Sequence, residues 1–171
     1  MSSRFSFFGP KKDTLYLMQA HEAAKRSLAD GNHPFGAVLV SQDGEVLLSS
    51  GNVEVTERDC TGHAETNLMR LASKRFSPSF LWDCSLYTTV EPCAMCSGAM
   101  YWGNLGRLVY GVEERKLLAL TGDNPLNPTF DLPCREVFAR GQKNIVVVGP
   151  TSDSKLEAEL LSLHREYWKR D

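Results

Sequence analysis

Cys93 and Cys96 stand three residues apart in Pro92-Cys-Ala-Met-Cys96, and His63 lies thirty residues before Cys93, in His63-Ala-Glu65. At i, i+3 on a helix, two sulfurs share one face of the first turn. The positive end of the helix lowers a thiol's pKa, so both are available as thiolates at neutral pH. Two soft thiolates and one imidazole suit Zn2+, and three protein ligands leave the fourth tetrahedral position open for water. An open position separates a catalytic zinc from a structural one. Glu65 supplies something a structural site has no use for, an unliganded carboxylate over that position. Residues i and i+2 do not share a helix face, so this reading places His63 and Glu65 together in the first turn. Alone, the cysteine pair is also open to readings as a redox couple, half of a four-cysteine ribbon, or two buried thiols. A ribbon needs a second pair, which Cys60, Cys84 and Cys134 do not supply, and a redox couple gives His63 no role.

Such a site needs a scaffold that brings two helix starts together. Residues 13–29 read as a helix, with Leu17, Ala20, Ala24 and Leu28 on one stripe, Asp13 as its cap and Gly31 as its stop. Residues 35–40 and 45–53 read as strands joined through Asp43-Gly44, a hairpin signal. Thr61 is the expected cap of a helix whose Ala64, Leu68, Leu71 and Ala72 share a face. Then come a strand at 85–90, a helix at 92–102 with Pro92 at its first position, and a strand at 105–112. Residues 121–133 carry three prolines, Gly122, Asn124 and Asn127, and read as a long loop of the kind that often forms a lid. Residues 144–148 are a β-branched strand, and 152–169 an amphipathic helix. Strands alternating with helices predict an α/β sandwich with some parallel pairing. The expected organisation is one domain over 1–171, with its core at about 13–150 and a C-terminal helix at about 152–169.

Composition excludes several classes of protein. The 171 residues carry 19 Lys plus Arg against 21 Asp plus Glu, a formal charge of −2, and are 42% apolar. That is the balance of a globular domain and not of a disordered chain or a nucleic-acid-coating protein. No apolar run approaches the ~18 residues of a membrane helix, and Met1 to Pro10 lack the apolar core of an export signal. Five cysteines, an odd number without an export signal, are expected to be reduced thiols in a cytoplasmic protein.

His-x-Glu followed by Pro-Cys-x-x-Cys is the signature of the zinc deaminases, and the chain resembles the cytidine/deoxycytidylate deaminase superfamily from about Leu15 to Val112. It is most similar to the branch holding bacterial guanine deaminases, tRNA adenosine deaminases and fungal-type cytosine deaminases. The resemblance implies a three-layer sandwich, a central mixed five-stranded sheet flanked by helices, with one zinc per subunit and usually a homodimer. It implies His63, Cys93 and Cys96 as ligands and Glu65 as proton shuttle. Asn52, eleven residues before His63, matches the branch's base-binding Asn. Pro34-Phe35-Gly36 resembles the guanine deaminases, with Phe35 an aromatic pocket wall, and Ala64 counts among the substrate-binding positions. Asp59-Cys-Thr-Gly-His63 departs from the common Asp-Pro-Thr-Ala-His at Cys60 and Gly62, which bears on the pocket rim.

A free base exposes a ring N–H where a nucleoside carries its sugar, and a carboxylate suits that N–H. The candidates are Asp123, Glu136, Glu166 and Asp171, with Asp123 or Glu136 preferred because guanine deaminases of this branch place an acid beyond the fifth-strand region. For Tyr167-Trp168, packing on core or surface is expected ahead of closing the pocket. Lys11-Lys12, Lys74-Arg75, Arg115-Lys116 and Lys169-Arg170 are scattered and offset by acids, unlike a phosphate track. The expected substrate is therefore a free nucleobase, guanine before cytosine or an aminotriazine, then nucleosides, with tRNA adenosine last. A zinc-stabilised binding protein without turnover stands as the non-enzyme alternative.

Overall fold

The computed structural model describes residues 3–169; Met1, Ser2, Arg170 of the last basic pair and the candidate Asp171 lie outside the described residues. Helix α1 (Pro10–Ala29) starts three residues earlier than expected, because Pro10 occupies a first-turn position where a missing N–H costs nothing. Asp13 is consequently not its cap. It sits buried inside the first turn, accepting from Tyr87 Oη at 2.6 Å and from Arg107 Nη2 at 2.7 Å. The helix stops as expected at Gly31, whose φ of 92° favours glycine.

Strands β1 (Gly36–Val40) and β2 (Val46–Gly51) form the expected antiparallel hairpin, with Gly44 at φ 95° in the turn. A Cβ on Gly36 would lie 2.2 Å from the Ala20 carbonyl oxygen and 2.3 Å from the Ala24 nitrogen, so α1 rests directly on the β1 backbone. A single turn, α2 (Glu54–Glu57), precedes α3 (Ala64–Arg75), and another, α4 (Pro78–Leu81), follows it. Thr61 does not cap α3: its hydroxyl and N–H both go to Asp59 Oδ1, and His63 takes the cap position.

Strand β3 (Ser85–Val90) leads into α5 (Ala94–Trp102), and β4 (Arg107–Val112) into α6 (Glu114–Thr121). Residues 122–133 run as turns and coil to α7 (Cys134–Ala139), followed by β5 (Val146–Val148) and α8 (Ser154–Tyr167). Helices α2, α4, α6 and α7 were not expected. Two are single turns, and α6 buries only Leu117, too little for a 3.6-residue stripe to show.

Among the described residues, five strands form one sheet in the order β2-β1-β3-β4-β5. Its first two pairings are antiparallel and its last two parallel. Alternate side chains leave opposite faces. Leu39, Leu86 and Leu108 pack with Leu68 of α3, Met100 of α5 and Phe138 of α7. Val38, Tyr87 and Val109 pack with Leu17 of α1 and Leu160 of α8. Three layers result, as the resemblance implies, with both faces of the sheet covered.

Candidate metal centre and active site

β3 ends at Val90, and Glu91-Pro92 carry the chain to Cys93, the cap residue of α5. Pro92 thus precedes the helix instead of opening it. Cys93 and Cys96 become the cap and third residues, two positions whose side chains face each other at a helix start. His63 is likewise the cap of α3, with Glu65 in its first turn. Both helices lie on one face of the sheet, so their starts converge.

His63 Nδ1 lies 3.6 Å from Cys93 Sγ and 3.6 Å from Cys96 Sγ, and all three donor atoms lie within 4.8 Å of one another. Tetrahedral zinc with Zn–S near 2.3 Å and Zn–N near 2.05 Å separates a nitrogen and a sulfur ligand by about 3.6 Å. The donor set fits zinc in type and in spacing. All five cysteines are free. Hydrogen bonding from the Cys96 thiol, then from His63, draws the Cys93 thiol down to about 4. Cys93 in turn pushes His63 up to about 9, while the Cys93 neighbour and burial drive Cys96 well above the usual thiol range.

Glu65 is 5% exposed. Thr88 Oγ1 donates to its Oε1 at 2.7 Å, and Cys96 Sγ lies 3.5 Å from its Oε2. Burial raises its pKa against the Thr88 hydrogen bond. One oxygen is anchored to the sheet, and the other remains beside the thiols to hold or release a proton.

A cavity of about 190 Å3 opens against His63, Cys93 and Glu65. Phe35, His33 and Val90 form one wall, and Leu126-Asn127-Pro128 of the long loop cover another. Glu54, Glu91 and Glu114 complete it. Glu91 ties the floor together, accepting from the Cys134 N–H at 3.0 Å and the Glu114 N–H at 3.3 Å. Burial, with the nearby Cys93, Glu65 and Glu91, pushes Glu114 up to about 7. Asn127 Nδ2 is buried with no hydrogen-bond partner among the described residues. Larger hollows lie beside Arg135, between Lys11 and Asp153, and between Arg26 and Asn52, none of them lined by His63, Cys93 or Glu65.

The structure brings together His63, Cys93, Cys96, Glu65 and Phe35. It does not bring Asp123 or Glu136 to the cavity: both are exposed, Asp123 just after α6 and Glu136 on the solvent side of α7. Glu166 is exposed on α8. Ala64 is fully buried in the core beneath the start of α3. Asn52 lies a layer behind the cavity wall, where its amide donates to Glu54 Oε2 at 2.6 Å. Tyr167 and Trp168 do not line the cavity but brace it from behind. Tyr167 Oη is 2.8 Å from His33 Nδ1, and the Trp168 ring lies 5.3 Å from His33 and 6.2 Å from Phe35. The sequence reading missed Glu54, Glu91, Glu114, His33 and Asn127. For Glu91 and Glu114 a signal existed: each stands one or two residues past a parallel strand's C-terminal end, where α/β sheets place their ligand sites.

Residues 10–112 match the family of the cytidine and deoxycytidylate deaminase zinc-binding region. A probable cytosine deaminase of Schizosaccharomyces pombe is 35% identical over 158 residues, 92% of this chain and 93% of that protein. A tRNA-specific adenosine deaminase of Haemophilus influenzae is 34% identical over 108 residues, 63% of this chain and 62% of that one. The solved guanine deaminase from Nitrosomonas europaea superposes with a TM-score of 0.71 at 25% identity, over 91% of this chain and 84% of its own.

Proposed function

The chain belongs to the cytidine and deoxycytidylate deaminase family, and on that premise we propose that it hydrolyses the exocyclic amine of a free nucleobase, guanine first, to a carbonyl with loss of ammonia. The observation that carries the free-base reading is the size of the cavity. Its 190 Å3 lie below the ~300 Å3 at which drug-sized pockets begin. That is the room of a single ring system without ribose and phosphate. A net charge of −2 with scattered basic pairs supports the same ranking against tRNA.

His63 Nδ1 and the sulfurs of Cys93 and Cys96 would hold the zinc. Zinc in such a site supplies the Lewis acidity that makes water nucleophilic near neutral pH. Glu65 accepts the proton of the attacking water, Oε1 staying pinned by Thr88 while Oε2 carries the proton. It returns that proton to the ring nitrogen beside the reacting carbon, N3 when guanine reacts at C2, and then assists the amine as it departs. Water and the amine are consumed; ammonia and a carbonyl result, xanthine in the case of guanine. Phe35 and Val90 offer apolar faces to the ring. Glu114 offers an acceptor for a ring N–H and Asn127 Nδ2 an unpaired donor for a ring carbonyl, which are adjacent groups on both guanine and cytosine.

Cytosine is the second reading, favoured by the near full-length match to the fission-yeast relative. The same proposal includes a homodimer, one domain over the whole chain and action in the cytoplasm, where thiols stay reduced. Among the described residues no helix is long and apolar enough to cross a membrane. Ammonia release from guanine, guanosine, cytosine, cytidine, adenine, adenosine and aminotriazines tests the substrate. Turnover of guanine is expected. Turnover of cytosine alone replaces the guanine assignment, and zinc-loaded protein inert on every base makes it a binding protein.

A further inference from the structure

We infer that Glu54 is a positioning residue, whose carboxylate fixes the His63 ring from the side away from the thiols while Asn52 fixes Glu54. The imidazole of His63 is held between two groups. Its Nδ1 faces both sulfurs at 3.6 Å, and its Nε2 lies 3.5 Å from Glu54 Oε2. A carboxylate beyond a ligating histidine selects the tautomer with hydrogen on the outer nitrogen. It leaves the inner lone pair aimed at the metal and raises its basicity.

Glu54 is itself clamped. Asn52 Nδ2 donates to Glu54 Oε2 at 2.6 Å, and Asn52 Oδ1 accepts the Glu54 N–H at 3.0 Å. Asn52 is 2% exposed, and its backbone is tied at both ends: its N–H donates to the Phe35 carbonyl at 3.1 Å, and its carbonyl accepts from Ser27 Oγ at 2.9 Å. The approach of Glu54 to His63 also depends on Gly62. A Cβ there would lie 3.0 Å from the Glu54 nitrogen and 2.9 Å from the Asp59 carbonyl oxygen, so an alanine would press this turn apart. Asn52, Glu54, Gly62 and His63 therefore form one unit that orients a ligand.

The inference rests on zinc binding by His63, Cys93 and Cys96 and is independent of which base reacts. Zinc affinity of the purified full chain, by competition with a chromogenic chelator, tests it. In the zinc-loaded chain, the 1H and 15N shifts of His63 Nε2–H report its contact with Glu54. Glu54→Ala is expected to weaken zinc binding about 10–100-fold, the usual effect of losing such an outer partner. Asn52→Ala should move in the same direction by less. Glu54→Gln keeps shape and an accepting oxygen, so it should fold as the parent does and retain part of the Nε2–H shift with a smaller loss of affinity. Zinc affinity in Glu54→Ala within about twofold of the parent, or a His63 Nε2–H shift unchanged in that variant, overturns the inference. A parent chain that takes up no zinc overturns the earlier reading of the site instead, so the two failures are told apart.

Discussion

Lowering the pH from 8 to 5 is expected to remove about 2 kcal/mol of stability through His164 alone. Its ring is buried on α8, with Phe35 5.0 Å away and Trp168 stacked at 6.3 Å. Trp168 Nε1 donates to its Nδ1 at 3.0 Å, and its Nε2 has no partner among the described residues. Burial, with His21 nearby, pushes the folded-state pKa down to about 3. In the unfolded chain a histidine titrates near 6.5. The unfolded state therefore takes up the proton first, and the contribution is complete above pH 6.5 and drains away as the pH falls towards 3. Each unit well inside that window is worth about 1.4 kcal/mol. At pH 5 the loss is about 2 kcal/mol, or roughly 4–8 °C in melting temperature for a chain of this size.

Urea unfolding of the parent and of His164→Gln at pH 8, 7, 6 and 5 measures it. Glutamine still offers an oxygen to the Trp168 indole, and the carboxylates, His21 and zinc ligands titrate alike in both proteins. The difference between the two free energies isolates His164, and should change by about 2 kcal/mol between pH 8 and pH 5. Parallel profiles would refute the reasoning. The consequence reaches the cavity, because His164 and Trp168 pack behind Phe35 of its wall.

Glu65→Ala should retain one zinc per chain and lose about 10²–10⁴ in turnover, the range for a general acid–base group; near-parent ammonia release would remove Glu65 from the chemistry. Arg107→Met should lower stability by about 3–5 kcal/mol, because it strands the buried Asp13 carboxylate now 2.7 Å from the guanidinium. Adding Asp13→Leu should recover much of that loss in urea unfolding, and no recovery would mean the pair is not the cause. Gly36→Ala should cost more than the ~1–3 kcal/mol of ordinary overpacking, since both close contacts are helix backbone. A urea midpoint equal to the parent's would show that α1 does not rest on β1 as described.

The metal-binding chemistry was legible along the chain because it depends on residue type and short spacing. Cys93 and Cys96 are one turn apart in any helix start, and no fold is needed to see that two thiols and an imidazole suit a soft cation. Boundaries were less legible where a side chain had a distant partner. Asp13 has the composition of a cap, but Tyr87 and Arg107, 74 and 94 residues away, take its carboxylate into the core. Thr61 was claimed by Asp59 two residues back, leaving the cap of α3 to His63.

The pocket's acids show the same division more sharply. Asp123 and Glu136 are the right residue type in a plausible stretch of chain, yet α6 and α7 turn them to solvent and present Glu114 instead. Residue types, short spacing and local periodicity determined the candidate donor set, the carboxylate beside it and the alternation of strands and helices, since each depends on neighbours a few positions away. The tertiary structure decided which carboxylates face the cavity, that Asn52 grips Glu54, and that the C-terminal helix braces His33 and Phe35. Those outcomes depend on segments from residue 33 to residue 168 meeting around one small volume, and only the order and pairing of the five strands brings them there.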